Sequence, residues 1–286
     1  MRINTNTAAM NTYSQLTSAN ASKSGSLAKL SSGLRINKAG DDAAGLAISE
    51  KMKNQISGMT QASRNAQDGI SLIQTAEGGL TETHSILNRM RDLAVQAKND
   101  TNTDEDRGAI QKEMNSLTKE VDRIANQTEF NGKKLLTNEA GDAGTSFTFQ
   151  IGANAEQDIT LNVANMNVAG LELGTIDADA DVITDELDVS TADADFDTVI
   201  EKLDTAIGKV STERANLGAT QNRLDHTVSN LATTKENLSE ANSRITDVDM
   251  AEEMMSFTKS NILSQASTAM LAQANQMPQG VLQLLQ

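Results

Sequence analysis

Cysteine and tryptophan are absent from the 286-residue sequence, tyrosine and proline occur once each, and aromatic residues make up 2% of it. Without cysteine there is no disulfide and no thiol chemistry, an absence that suits a cytosolic or an extracellular protein equally. Without bulky rings a compact core around an enzyme pocket is hard to fill. Buried surface must come instead from Leu, Ile, Val, Met and Ala spread along helices, as in bundles and coiled coils. Basic residues are scarce, with 24 Lys and Arg against 39 Asp and Glu, a formal net charge of -15 and a pI near 4.5. That balance argues against a nucleic-acid surface, which needs clustered Lys and Arg, and plainly serves solubility. No stretch is apolar enough to cross a membrane. Met1 to Ser14 lacks the basic and then apolar layout of a signal peptide, so an exported chain leaves by another route.

The chain is rich in helical periodicity, most regular from Leu203 to Ile245. Leu203, Ile207, Val210, Leu217, Leu224, Val228, Leu231, Leu238 and Ile245 recur at steps of three, four and seven, an average repeat of 3.5 that draws one stripe along a long helix seeking partners. Arg214, Gln221, Lys235 and Asn242 fall in the same register. They either set register or lay long side chains over the seam's edge, and the second is the expectation.

Upstream, Tyr13, Leu16, Leu27, Leu30 and Leu34 make a thin stripe interrupted by Asn20 and Lys23. It buries too little to offset the entropy of ordering a lone helix, so a partner is expected to order it. Glycines near Gly33 and Gly40 punctuate a bend, with Asp41 or Asp42 placed to cap the next helix. Met52, Ile56, Met59, Ala66, Ile70, Ile73, Ala76, Leu80, Leu87, Met90 and Ala94 continue as a second long helix over about 44–98, with Gly78-Gly79 a weak point in its middle. Thr103 and Asp106 resemble a capping box for a third helix, whose seam is Ile110, Met114, Leu117, Val121 and Ile124. The short break before it implies an antiparallel return. Asn131-Gly132 then makes a tight turn.

Phe147, Phe149 and Ile151, then Ile159, Leu161 and Val163, alternate with polar residues and predict a hairpin. The Asp-rich stretch 177–197 opens like a calcium loop at Asp177, Asp179 and Asp181, but Val182 and Asp188 stand where that loop needs Gly and Glu, so a solvated segment is expected. Ser243 to Asp249 interrupts the periodicity and mirrors the connector near Gly40. Leu263, Ala266, Met270, Ala274, Met277, Val281 and Leu284 form a last stripe, with Pro278 expected to bend or restart the helix. Both tails thus carry stripes that nothing within the chain is obliged to cover, and copies of the chain would cover them.

Catalytic chemistry has little to hold. His84 and His226 lie far apart outside any paired-ligand motif, and there is no HExxH and no phosphate-binding loop. An enzyme is not expected, nor a cofactor or a metal.

The opening Met1-Arg2-Ile3-Asn4-Thr5-Asn6, the run Leu30 to Asn37, Gly40-Asp41-Asp42-Ala43-Ala44-Gly45 and Leu271-Ala272-Gln273-Ala274-Asn275-Gln276 resemble bacterial flagellin. The resemblance covers 1 to about 138 and about 199 to 286. It implies a mainly α fold of long antiparallel helices in a rod-like coiled-coil bundle, with a small β-hairpin region in mid-chain. The segments it implies are 1–40 and 246–286 for an inner tube, 41–136 and 199–245 for a rod, and 137–198 for a reduced, variable middle. Inner-tube packing falls to Leu16, Leu27, Leu30, Leu34, Leu263, Met270, Met277 and Val281. Rod packing falls to Leu203, Ile207, Val210, Leu217, Leu224, Val228, Leu231 and Leu238.

The same resemblance implies a filament subunit of the bacterial flagellum, secreted through the flagellar type III apparatus and serving motility. Its partners would be copies of itself, an export chaperone on the C-terminal helix, and hook-associated and cap proteins, with no nucleic acid and no membrane. Leu87 to Gln96 is similar to the segment sensed by a vertebrate Toll-like receptor, which carries Arg89, Leu93 and Glu113 over as receptor contacts. A hook-filament junction protein has similar ends, and a coiled-coil adaptor is the alternative from another class.

Overall fold

Helices form wherever the apolar period of three and four persists, and they stop where Gly, Asn or Asp supplies a cap. A computed structural model describes residues 6–137, 144–176, 183–184, 187–191 and 195–283, with the backbone alone for 175–176, 183–184 and 278–283. In chain order the elements are α1 (Thr7–Ser32), α2 (Ala43–Ala97), α3 (Asp104–Gln127), β1 (Glu129–Phe130), β2 (Lys133–Lys134), β3 (Thr145–Gln150), β4 (Asp158–Val163), β5 (Thr175–Ile176), β6 (Ile183–Thr184), α4 (Phe196–Thr246) and α5 (Met250–Gln283). The protein is mainly α with small antiparallel hairpins in mid-chain.

The helix ends reflect their residues. The Asn6 side chain caps α1 by accepting from Ala9 N at 3.0 Å, and Gly33 ends it at φ 71°, where its N–H reaches Lys29 O. Of the two candidate caps for α2, Asp42 is the one used, accepting from Gly45 N at 2.9 Å. Asp41 instead holds the turn, accepting from Asn37 N and Lys38 N, and those two bonds keep its carboxyl below the usual range. Thr103 and Asp106 form the reciprocal capping box of α3. Asn131 and Gly132, at φ 52° and 73°, turn β1 into β2.

The weak point at Gly78-Gly79 does not interrupt α2, which is held by packing on either side, and Gly79 allows a close approach. A Cβ there would stand 2.9 Å from Thr128 Oγ1 and 3.1 Å from Leu136 Cδ1. Nor does Pro278 restart a helix, since α5 is continuous from Met250 to Gln283.

The described chain divides into two compact units, Met1–Ile56 with Glu236–Gln286, and Ser57–Lys235. In the second unit, α3 returns antiparallel to α2, as shown by Arg89 reaching Glu113 and Arg107 Nε reaching Ala97 O. α4 is also antiparallel to α2, since Arg91 binds Asp204 while Arg214 lies 3.6 Å from Glu77. The core between them is Ile73, Leu80, Leu87, Met90, Met114, Val121, Leu203, Val210, Leu217 and Leu224. Hairpin β3–β4 pairs Phe147 with Leu161 and Phe149 with Ile159, and its inward residues join that core. The Gln111 amide clips on a further segment, donating to Leu187 O and accepting from Val189 N. Of the acidic stretch, Asp177, Asp179, Asp181 and Val182 lie outside the described residues, and Asp188 accepts from Ser190 N.

Candidate assembly surface

In the first unit α1 and α5 pair antiparallel, with Asn6 Nδ2 donating to Ala274 O, Lys23 Nζ to Asn261 Oδ1, and Ser264 Oγ to Asn20 Oδ1. Lys29 and Glu253 add an ion pair at 3.7 Å. The residues most buried are small ones. Ala19 and Ser26 lie seven apart on α1, and Ser260, Ser267 and Ala274 lie at sevens on α5. Side chains of this size let two helix backbones come close but bury few methylenes, at about 0.8 kcal/mol each.

The large apolar residues sit elsewhere. On α1, Leu16 and Leu30 flank the small-residue seam and are half-buried, whereas Tyr13 and Leu27 are 63% and 55% exposed. On α5, Met250, Met254, Met255, Ile262, Leu263, Met270 and Met277 are exposed. The sequence stripe on α5 is therefore largely not the seam that holds α1. Each of Leu263, Met270 and Met277 follows Ser260, Ser267 or Ala274 by three residues, about 60° round the helix, so it lies to one side of the seam and is left exposed. Val281 belongs to α5, but its side chain lies outside the described residues. Met254, Met255, Ile262 and Leu263 line a shallow groove of about 500 Å³.

The two connectors meet. Leu34 and Asp247 form an antiparallel bridge, with Arg35 N donating to Thr246 O at 2.6 Å and Val248 N to Gly33 O at 3.1 Å. The Arg35 guanidinium donates to Ile245 O at 2.6 Å. Leu34 is half-buried there.

In the second unit the α4 seam lies where its period predicts. Leu203, Val210, Leu217, Leu224 and Leu231 are buried, and Ile207 and Val228 half-buried; Leu238, half-buried too, falls in the first unit. Arg214 lies over the edge of the seam toward Glu77. Beside it Glu213 is buried, with its carboxylate accepting from Ala164 N at 3.4 Å, and burial raises its pKa against the pull of hydrogen bonds from Ala164 and Asn216. Arg89 is exposed and binds one Glu113 oxygen through Nε and Nη2, at 3.1 and 2.8 Å. Leu93 is not exposed beside it. Although the two side chains stand only about 40° apart round the helix, Leu93 is 2% exposed and packed in the core.

Residues 3–140 match the family model of the bacterial flagellin N-terminal helical region, and residues 200–285 that of the C-terminal helical region. Over its full length the chain is 55% identical, across 304 residues, to flagellin of Bacillus subtilis (strain 168), with 100% of both covered. The chain is a bacterial flagellin. This flagellin is also 51% identical over 285 residues to flagellin of Halalkalibacterium halodurans, again with 100% of each covered. A putative flagellar hook-associated protein of Vibrio parahaemolyticus shares its fold at 16% identity and a TM-score of 0.57, covering 72% of this flagellin and 100% of that chain.

Ala19, Ser26, Ser260 and Ser267 are the residues that sequence reasoning passes over in this flagellin. Their signal is the strict interval of seven, which is invisible to a search for large apolar side chains. Among the described residues no cluster of three or more His, Cys, Asp or Glu could hold a metal ion, and no helix is long and apolar enough to cross a membrane.

Proposed function

We propose that this flagellin polymerises into the extracellular flagellar filament through the exposed apolar faces of α1 and α5, and that the filament serves swimming. One observation carries the choice of surface: α5 already satisfies α1 with Ser and Ala, and seven large apolar side chains remain exposed beside that seam. Fully burying a Leu, Ile or Met contributes about 1.5 to 3 kcal/mol, so these faces hold most of the apolar free energy that the first unit leaves unused. Neighbouring subunits supply its cover. A relative 48% identical over 291 residues bears the name flagellar filament 33 kDa core protein, from Treponema phagedenis, which supports the same role.

Secretion through the flagellar apparatus, an export chaperone on α5, and contacts with hook-associated and cap proteins belong to the same proposal. So does sensing of the monomer by a vertebrate Toll-like receptor, through Arg89 and Glu113, with Leu93 supporting the helix from inside. Seeded polymerisation and then electron microscopy tests the assembly surface. The parent should extend into long filaments, and a Leu263→Asp, Met270→Asp double variant should stay monomeric with its helical circular dichroism intact, since unpaired charge cannot be buried cheaply. Normal filaments from the double variant would sink the proposal.

A further inference from the structure

We propose that Met254 and Met255 form an oxidation site that controls whether a free subunit can assemble; the inference rests on the α5 face being covered by a second copy. The described methionines are sorted by unit, apart from Met52, which lies in the first unit on α2 and is half-buried. Met59, Met90, Met114 and Met166 lie in the second unit at 0–6% exposure, whereas Met10, Met250, Met254, Met255, Met270 and Met277, all on α1 or α5, are 50–67% exposed. With no cysteine and no tryptophan in the chain, the thioethers are its softest nucleophiles. A peroxide therefore meets sulfur on the assembly face and not in the core.

The reaction is an oxygen transfer. A lone pair of Sδ attacks the peroxide oxygen, the O–O bond breaks, sulfur is oxidised by two electrons to the sulfoxide, and hydrogen peroxide leaves as water. Met254 and Met255 line one groove with Ile262 and Leu263, so a sulfoxide there puts a strong dipole where a neighbour's apolar side chains would dock. A reductase using a thiol as co-reactant removes the oxygen and restores the face. Once in a filament, the covered sulfurs are shielded, so the site acts on subunits before assembly.

The full chain as monomer, treated with graded hydrogen peroxide, quenched and mapped by peptide mass spectrometry, tests this alongside seeded polymerisation. Met254 and Met255 should oxidise at least about tenfold faster than Met90 and Met114, in keeping with their exposure. Elongation should fall in step with their sulfoxide fraction, while circular dichroism holds, and methionine sulfoxide reductase should restore it. Measured against its own untreated rate, a Met254→Leu, Met255→Leu variant should lose less elongation than the parent at each dose. Full elongation by the oxidised parent, or equal sensitivity of the variant, overturns the inference. Should the variant fail to assemble even untreated, the reductase arm decides, and no recovery overturns the inference. Failure of the untreated parent to polymerise overturns the assembly proposal and this inference together.

Discussion

Leu34 and Asp247 pair across the two connectors as a single antiparallel bridge, joining the exit of α1 to the entry of α5. The bridge sits directly after Gly33, whose positive φ of 71° turns the chain out of α1 and delivers Gly33 O to Val248 N. A residue with a Cβ meets open space there but must adopt a left-handed backbone. Gly33→Ala should therefore destabilise the first unit by about 1 kcal/mol. Hydrogen exchange at Val248 N–H, read in the free subunit, should speed up correspondingly; unchanged exchange would refute the coupling.

Gly78 and Gly79 are neighbours with opposite expectations. A Cβ at 78 meets nothing, so Gly78→Ala should stabilise α2 by up to about 1 kcal/mol through helix propensity. At 79 the added bulk meets Thr128 and Leu136, and Gly79→Leu should cost about 1 to 3 kcal/mol by overpacking. Urea unfolding of the two variants measures the contrast, and shifts of equal sign would be inconsistent with it.

Glu213 makes the second unit sensitive to pH. Its folded pKa is raised above the ordinary value of 4.5 by burial, so the folded state holds the proton more tightly than the unfolded one. The stability it contributes is present below 4.5 and is lost as pH rises through the raised value. Glu213→Gln keeps an acceptor for Ala164 N without the charge. The variant should gain stability relative to the parent as pH goes from about 4 to about 7, and parallel stability curves would count against this account.

Arg89 and Glu113 predict a receptor phenotype separable from folding. Both are exposed, and an exposed pair contributes about 0 to 1 kcal/mol to stability, so Arg89→Ala should leave the melting curve nearly in place. If the guanidinium meets a receptor, the same change should weaken monomer signalling about tenfold or more, the order expected for a hot-spot side chain. Receptor-bearing cells given the folded variant read this directly, and an unaltered dose response would remove Arg89 from the surface.

The second unit was largely legible in the sequence because its seams are built of Leu, Ile, Val and Met, whose burial declares itself through period. The α4 stripe and the two alternating runs of the hairpin were readable in this way, and the Thr103–Asp106 box and the Asn131-Gly132 turn from their cap and turn residues. The first unit was legible only in part. Its large apolar residues mark an outward face, while the inward seam is Ala and Ser, which apolar patterning does not distinguish from a solvated surface. Leu93 was misplaced for a simpler reason. Shared spacing with Arg89 says that two side chains are one turn apart, but the position of α3 and α4 decides which of them is covered.

A seam of near-identical small knobs has a consequence for alignment. Slipping α5 by seven residues along α1, about 10.5 Å, would again set Ala and Ser against Ala and Ser, so shape distinguishes poorly between one alignment and the next. The distinction falls to the Leu34–Asp247 bridge and to the lateral contacts of Asn6 with Ala274, Asn20 with Ser264, Lys23 with Asn261 and Lys29 with Glu253. The pair thus works as a vernier, in which a uniform scale is read by a few unequal marks.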